Sequence, residues 1–382
     1  MTVYALSIHA DYRCRHSGEC CTADWDVPVE VPVFRSLNEA IAAGRLRTSQ
    51  GTGDGAFITG DDLPDDAGAM LERTPRGDCV FFHRDTHLCI VHRDLGESAL
   101  PATCRHFPRL AVRDARGTSI TLSHFCPTAA STLFREDVAL EIVAAPPAFP
   151  EADYEGLVVA ADEWPPLLEP RMLTDHEGYA AWERHMVARC ADAALGPESV
   201  VATLARDAQL LRGWRPGGPT LAEAVAALPR DALHAAPHAT LDVSLALFAE
   251  AMKAVPDDLL PPPDEQRLPE AYASLVVGAW EQFRAPLNRY LAAKAFATWT
   301  AYQGRGIATI VRGLECALAL VRVEAARQCR DAARTLDPAL MLEAFRAADF
   351  ILNHLAAADE LAKSWSIAES TRVRAAEAGR NS

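Results

Sequence analysis

The sequence predicts an α+β protein that is predominantly α-helical, with an irregular N-terminal cysteine-cluster module carrying short strands and packed on a C-terminal helical domain. Three observations carry this. Seven of the ten cysteines fall within the first 126 residues. Helical periodicity dominates the chain after about residue 150. The stretch Ala-Pro-Pro-Ala-Phe-Pro at 145–150 lies between the two and marks a boundary. The expected division is therefore a metal-binding module over 1–145, a helical domain over 150–365 and a flexible polar tail over 366–382.

In order along the chain, residues 27–33 alternate like a short strand that two prolines confine to an edge. Residues 35–46 can form a helix, and 48–68 are rich in Gly, Asp and Thr and read as a loop. Two short apolar runs, 79–82 and 88–92, can pair as strands. So can 109–113 and 118–124, around a turn at Asp114–Gly117. Beyond the boundary, helical patterns cover 176–195, 198–212, 220–228, 239–254, 270–303, 306–335 and 338–364. Ile310, Leu314, Leu318 and Val321 show the spacing of one buried helix face. No repeat of fixed period is present.

Composition narrows the function. The 382 residues are 49% apolar and 23% charged, an ordinary globular balance that leaves room for a large core. A net charge of −15 disfavours nucleic acid and anionic lipid, and no basic tail offsets it. The start of the chain lacks the pattern of a signal peptide. The most apolar long segment, 307–326, carries Arg312, Glu315, Arg322 and Glu324, which does not suit a membrane span. The expected location is the cytoplasm, where clustered cysteines serve as metal ligands or redox groups rather than disulfides. The sequence sets no oligomeric state.

The cysteines follow Cys-x5-Cys-Cys, a gap of 57 residues, then Cys-x9-Cys-x14-Cys-x21-Cys: Cys14, Cys20, Cys21, Cys79, Cys89, Cys104 and Cys126. Seven of the twelve histidines share this third of the chain: His9, His16, His83, His87, His92, His106 and His124. Thiolates select iron–sulfur clusters, zinc or copper(I), and four of them complete either a tetrahedral zinc site or a four-iron cluster. Spacing alone does not separate the two metals. Seven exceed four, leaving three for a second site, a redox role or packing. Cys20 and Cys21 point to opposite faces of an extended chain, so both serve one centre only if the backbone turns sharply there. Otherwise one ligates and the other packs or serves another site. Cys190, Cys316 and Cys329 sit in helical patterns and read as core residues.

The segments 14–29 (CRHSGECCTADWDVPV), 78–109 (DCVFFHRDTHLCIVHRDLGESALPATCRHFPR) and 122–130 (LSHFCPTAA) resemble the flagellin lysine-N-methylase family, part of a wider group of zinc- or iron-chelating cysteine-cluster domains. The resemblance spans about the first 130 residues, where six blocks keep the family's order; the helical half matches only loosely, near Phe283–Tyr290. It implies a 4Fe-4S cluster on these cysteines and methyl transfer from S-adenosylmethionine to a lysine side chain of a protein substrate. It does not give the substrate. One departure stands out. The flagellin enzymes carry a further cysteine before the Cys-Cys pair, where residues 15–19 here are Arg-His-Ser-Gly-Glu. Either His16 stands in as a ligand or the ligand set differs. The class outside catalysis is a zinc- or iron-binding structural or storage protein.

Other features weigh less. Gly51-x-Gly53-x-Gly55 follows no strand and opens no helix, so it reads as a flexible loop rather than a nucleotide cradle. Cys104 with His106 or His124 has the makings of a nucleophile pair, but the surrounding cysteines favour ligation. Arg93, Arg105 and Arg109 lie near cysteines and can offset the charge of a thiolate centre, with Arg105 and Arg109 the candidate cofactor contacts; surface ion pairing is the plainer alternative. Trp25 and Phe107 can shield the site from water or serve as plain core residues. The tryptophans of the helical half (Trp164, Trp182, Trp214, Trp280, Trp299, Trp365), with Tyr290 and Tyr302, suit core packing better than a ligand groove.

Overall fold

Short elements fill the first part of the chain because prolines, glycines and close-set cysteines interrupt every apolar run. The structure, a computed structural model, describes residues 2–23, 25–51, 55–60, 63–149, 164–233, 240–259, 266–303 and 306–367. The strands of this part are β1 (Val3–Leu6), β2 (Pro28–Glu30), β3 (Phe57–Ile58), β4 (Ala67–Leu71), β5 (Phe82–His83), β6 (Leu88–Cys89), β7 (Arg109–Asp114), β8 (Gly117–Leu122) and β9 (Ile142–Ala144). Its helices are α1 (Glu19–Thr22), α2 (Val31–Ala42), α3 (Ile90–Leu95), α4 (Ala102–His106) and α5 (Pro127–Thr132). One sheet has the order β7-β8-β1-β9, with β1 parallel to β8 and antiparallel to β9. A second has the order β2-β4-β3, and β5 and β6 form a hairpin.

The later part holds the hairpin β10 (Leu167–Glu169) and β11 (Met172–Leu173), then α6 (His176–Ala191), α7 (Pro197–Leu211), α8 (Leu221–Ala226), α9 (Leu241–Met252), α10 (Leu268–Ala271), α11 (Arg284–Ala295), α12 (Ile307–Ala332) and α13 (Pro338–Phe350). The α+β, predominantly helical class is as predicted. Helix starts follow local chemistry. Thr220 and Glu223 make a reciprocal cap on α8, and Asp337 accepts the Leu340 N–H ahead of Pro338. α12 runs through the centre of the helical core, packing against α7, α9, α11 and α13. Buried with it are Trp182, Trp280, Tyr290 and Phe345, so these aromatics form core rather than a groove. Cys190, Cys316 and Cys329 lie in the same core. Leu6, Ile8 and Leu133 from the N-terminal part also enter it.

Several boundaries differ from expectation. The strand over 27–33 is cut to three residues because α2 already starts at Val31, with Pro32 in the first turn, where a missing N–H costs nothing. The single helix over 270–303 is broken. Pro286 cannot bond back to residue 282, so α11 starts at Arg284, and a π-helical and a 3-10 segment carry the chain up to it. The helix over 338–364 gives way to a π-helical turn at Ile351–Leu355, after which the Ala357 N–H bonds to Ala254 and redirects the chain. Residues 358–367 are helical again, so the expected tail at 366–382 begins in a helix; residues 368–382, like 52–54 of the glycine-rich loop, lie outside the described residues. Among the described residues, no helix is long and apolar enough to cross a membrane.

Candidate metal centre

The loops of the N-terminal part converge. All seven clustered cysteines line one cavity of about 100 Å³. Each arrives on a different local structure. Cys14 is on the loop after β1. Cys20 and Cys21 sit in α1. Cys79 bridges to Arg73, Cys89 ends β6 and caps α3, Cys104 is inside α4, and Cys126 caps α5. Backbone bonds tie the blocks to one another: the Cys79 N–H donates to the Cys21 carbonyl at 2.7 Å, and the Ile90 N–H to the Phe81 carbonyl at 2.8 Å.

The sharp turn required at the Cys-Cys pair is present. Gly18, at φ +83°, introduces α1, and a β-carbon there would stand 2.6 Å from the Phe82 ring. With the backbone turned, the sulfurs of Cys20 and Cys21 lie 3.9 Å apart and both line the cavity. Cys21 also packs against the small core of Val27, Leu37 and Phe81. His16, His87 and His92 line the same cavity, and His16 and His87 both hold the left-handed backbone that most residues avoid. The rings of His16 and His92 are 5.3 Å apart.

Backbone amides are aimed at the sulfurs. The His16 N–H donates to Cys14 Sγ at 3.3 Å. Those of Val91 and His92 reach Cys89, and that of Phe81 reaches Cys79. A hydrogen bond from the Cys21 thiol, helped by the two amides, draws Cys89 down to about 7. Burial pushes Cys79 up to about 11 and Cys104 well above the ordinary thiol range. An apolar wall thus keeps the Cys79 and Cys104 thiols neutral, and a bound cation would deprotonate them. Val27, Leu37, Leu71, Phe81 and Leu100 form that wall. Among the described residues, no group of three or more His, Cys, Asp or Glu side chains is arranged, as it stands, to hold a single metal ion.

The aromatic shield is half as expected. Phe107 lines the cavity, whereas Trp25 stacks behind it, 5.2 Å from the Phe107 ring and 4.7 Å from His354. Arg93 is exposed and paired with Asp94, the plainer of its two readings. Arg105 and Arg109 line an open cleft of about 390 Å³ beside the cavity, sharing Cys14, Cys104, His16 and Phe107 with it.

Sequence reasoning missed the grip of α13 on the cysteine segments. Arg346 pairs with Glu19, next to Cys20, at 2.5 Å, and donates to the Phe125 carbonyl, next to Cys126, at 3.0 Å. Fully buried Asp349 accepts the His124 N–H at 2.5 Å and the Tyr290 hydroxyl at 2.9 Å, and pairs with Lys294. Burial alone would raise its pKa; the Lys294 ammonium and His124 hold it well below the usual carboxylate range. The His124 ring also meets His9, 3.3 Å between Nε2 atoms, and Ser123 bonds His354 at 2.8 Å. Burial pushes His354 down to about 4. No local motif marks these residues, which lie more than 220 positions from the loop they hold. Tyr12 was also missed: its hydroxyl is 3.5 Å from Cys126 Sγ. No protein-family model, curated protein or solved structure matches this chain.

Proposed function

We propose that the chain is an iron–sulfur protein of the flagellin lysine-N-methylase type, holding a 4Fe-4S cluster on four of its seven clustered cysteines and transferring a methyl group from S-adenosylmethionine to a lysine of a protein substrate. The observation that carries the metal part is the convergence of Cys14, Cys20, Cys21, Cys79, Cys89, Cys104 and Cys126 on one cavity. At about 100 Å³ the cavity is several times the volume one water needs, and so larger than one ion requires. The donor set fits: soft sulfur ligands, backbone N–H groups on three of them, and an apolar wall are the features that hold and tune such clusters. The methyl-transfer part is supported by the resemblance of residues 14–29, 78–109 and 122–130.

When bound, the cluster would supply a centre that positions or polarises the methyl donor or the acceptor amine. The chain's own residues do the rest. Phe107 and Leu100 stand between the cysteine cavity and the open cleft, and the cleft bearing Arg105 and Arg109 gives a reactant access to Cys14 and Cys104. A lysine amine must arrive uncharged, because only its lone pair accepts the methyl group.

One observation favours a second reading, a zinc-binding structural or storage protein. The 3.9 Å between the Cys20 and Cys21 sulfurs is close to the edge, roughly 3.8 Å, of a tetrahedron with Zn–S bonds of about 2.3 Å. Iron, zinc and acid-labile sulfide measured on protein purified without oxygen, with a visible spectrum, decide between them. About four irons and four sulfides per chain, with absorbance that bleaches on reduction, are expected. One zinc, no sulfide and no colour would replace the cluster by the zinc site. Incubation with S-adenosylmethionine and candidate lysine-bearing proteins, read by mass spectrometry, then tests the transfer.

A further inference from the structure

The cleft beside the cysteine cavity is lined by three arginines and two carboxylates. Arg13, Arg105 and Arg109 all line it, and none of the three lines the cysteine cavity itself. No ion pair joins any of them to a carboxylate among the described residues, although the chain carries a net charge of −15 and the buried or half-buried Arg312, Arg322, Arg327 and Arg346 of the helical half are all paired. Of the cleft's two carboxylates, Asp11 is already taken by Arg135, which leaves Glu97 against three guanidinium groups.

Arg109 is also held in place. It donates to the Arg105 carbonyl at 3.0 Å and lies over the Phe149 ring, 5.7 Å from its centroid. Arg105 follows Cys104 within α4, and Arg13 precedes Cys14. At about 390 Å³ the space is that of a small-molecule site. Guanidinium groups bind carboxylates and phosphates through paired N–H donors, and they lose little on being fixed in advance.

We infer that this cleft binds the oxyanion head group, carboxylate or phosphate, of a small molecule, with Arg13, Arg105 and Arg109 as its donors and the remainder of the ligand directed at Cys14 and Cys104. The inference goes beyond the iron–sulfur reading and does not need it, because the cleft's donors belong to the protein.

Calorimetric titration of the purified full-length protein with malonate and with inorganic phosphate, at constant ionic strength, tests it. One anion is expected to saturate at one site per chain, and which of the two binds more tightly identifies the head group. Arg105→Gln should weaken that binding roughly tenfold or more, the worth of one charge-assisted pair, while Arg35→Gln, at an exposed position of α2 that does not line the cleft, leaves it unchanged. Arg13→Gln, on an exposed loop, serves as the second variant should Arg105→Gln fold poorly. Saturation by neither anion would overturn the inference, as would equal binding by Arg105→Gln and Arg35→Gln. Loss of metal from Arg105→Gln would also overturn it, since the arginines would then be serving the thiolates. Metal is assayed on the same samples: a protein with zinc or no metal that still binds the anion keeps this site and refutes the cluster.

Discussion

The same residue type does opposite work in the two parts of this molecule. In the helical part, Cys190, Cys316 and Cys329 are scattered through a core built on α12, where burial pushes Cys190 and Cys316 up to about 12 and they act as small apolar fillers. In the N-terminal part, seven cysteines face one cavity, three of them bonded by backbone amides. The supporting structure differs to match. α12 runs for 26 residues, whereas the N-terminal strands run for two to six and its helices, α2 apart, for four to six. Elements that short bury little apolar surface each, so the core around Val27, Leu37 and Phe81 is small and the cysteines occupy the space where its centre would be. One part is held by packing; the other turns seven cysteines onto one cavity, which a metal fills on the proposed reading.

Stripping the metal is the largest test of that contrast. Cysteine-bound structural metal contributes on the order of 10 kcal/mol to folding in small domains. Chelation should therefore open residues 14–126 to proteolysis while α6 to α13 stay protected, as read by hydrogen exchange. Protection lost evenly along the chain would mean that the two parts do not differ in this way. Next comes Asp349→Ala. It removes the buried partner of Lys294, a change of about 3–5 kcal/mol, and releases the His124 N–H two residues from Cys126. Denaturant unfolding should show the loss, and metal content should fall with it. Unchanged metal content would show that α13 holds the interface but not the ligand segment.

What was legible in the sequence follows the same contrast. Long amphipathic runs fixed α6, α7, α9 and α12 to within a few residues, because one buried face repeated over several turns leaves one solution. The hairpin of β7 and β8 was equally plain, its turn falling at Asp114–Gly117. The seven cavity cysteines were legible as a set but not as a geometry. That Cys20 and Cys21 face the same way depends on Gly18 seating against Phe82, a contact between residues 64 positions apart. Arg346 and Asp349 were invisible for the same reason: in sequence they are ordinary polar positions of a helix, and only the docking of α13 on Phe125 and Glu19 gives them a role. The tear in the 270–303 helix was, by contrast, announced by Pro286, whose effect on the preceding turn the apolar periodicity concealed.

Smaller changes sharpen the contrast. Leu320→Ala in α12, at a fully buried position, should cost about 3 kcal/mol and leave the metal in place. A fall in metal content would show that helical packing and the cysteine cavity are one cooperative unit. Protons probe the seam. His354 has its pKa lowered to about 4 by burial, with Asp349 opposing and Lys294 reinforcing that shift, while Ser123 bonds its ring. The unfolded chain therefore takes up this proton from about pH 6.5 downward, and the folded chain does so only near pH 4. The stability tied to the neutral ring is present above pH 6.5 and is lost between there and pH 4, about 2 kcal/mol once its residual exposure is discounted. His9 and His124 are lowered too, so the measurement is a difference: melting of the native protein and of His354→Gln across this range should converge as the pH falls. Parallel curves would place the proton uptake on the other two histidines.

The smallest effect isolates the turn that brings Cys20 and Cys21 together. Gly18 and Gly44 both hold positive φ, +83° and +69°. Alanine at either should cost about 1 kcal/mol from backbone conformation alone. Only at Gly18 would the new methyl group meet anything: the Phe82 ring at 2.6 and 2.8 Å, against open space at Gly44. Phe82 is buried and paired in β5 with Cys89, so its ring has little room to retreat. The two variants thus share the strain and differ in the clash. Gly18→Ala should melt lower than Gly44→Ala and shift the spectrum of the bound metal, because displacing Phe82 moves Cys89 and displacing residue 18 moves Cys20. Equal melting points and an unaltered spectrum would mean that the Cys20–Cys21 turn keeps its geometry without the glycine, and that the cavity is less tightly specified than the fit of Gly18 against Phe82 implies.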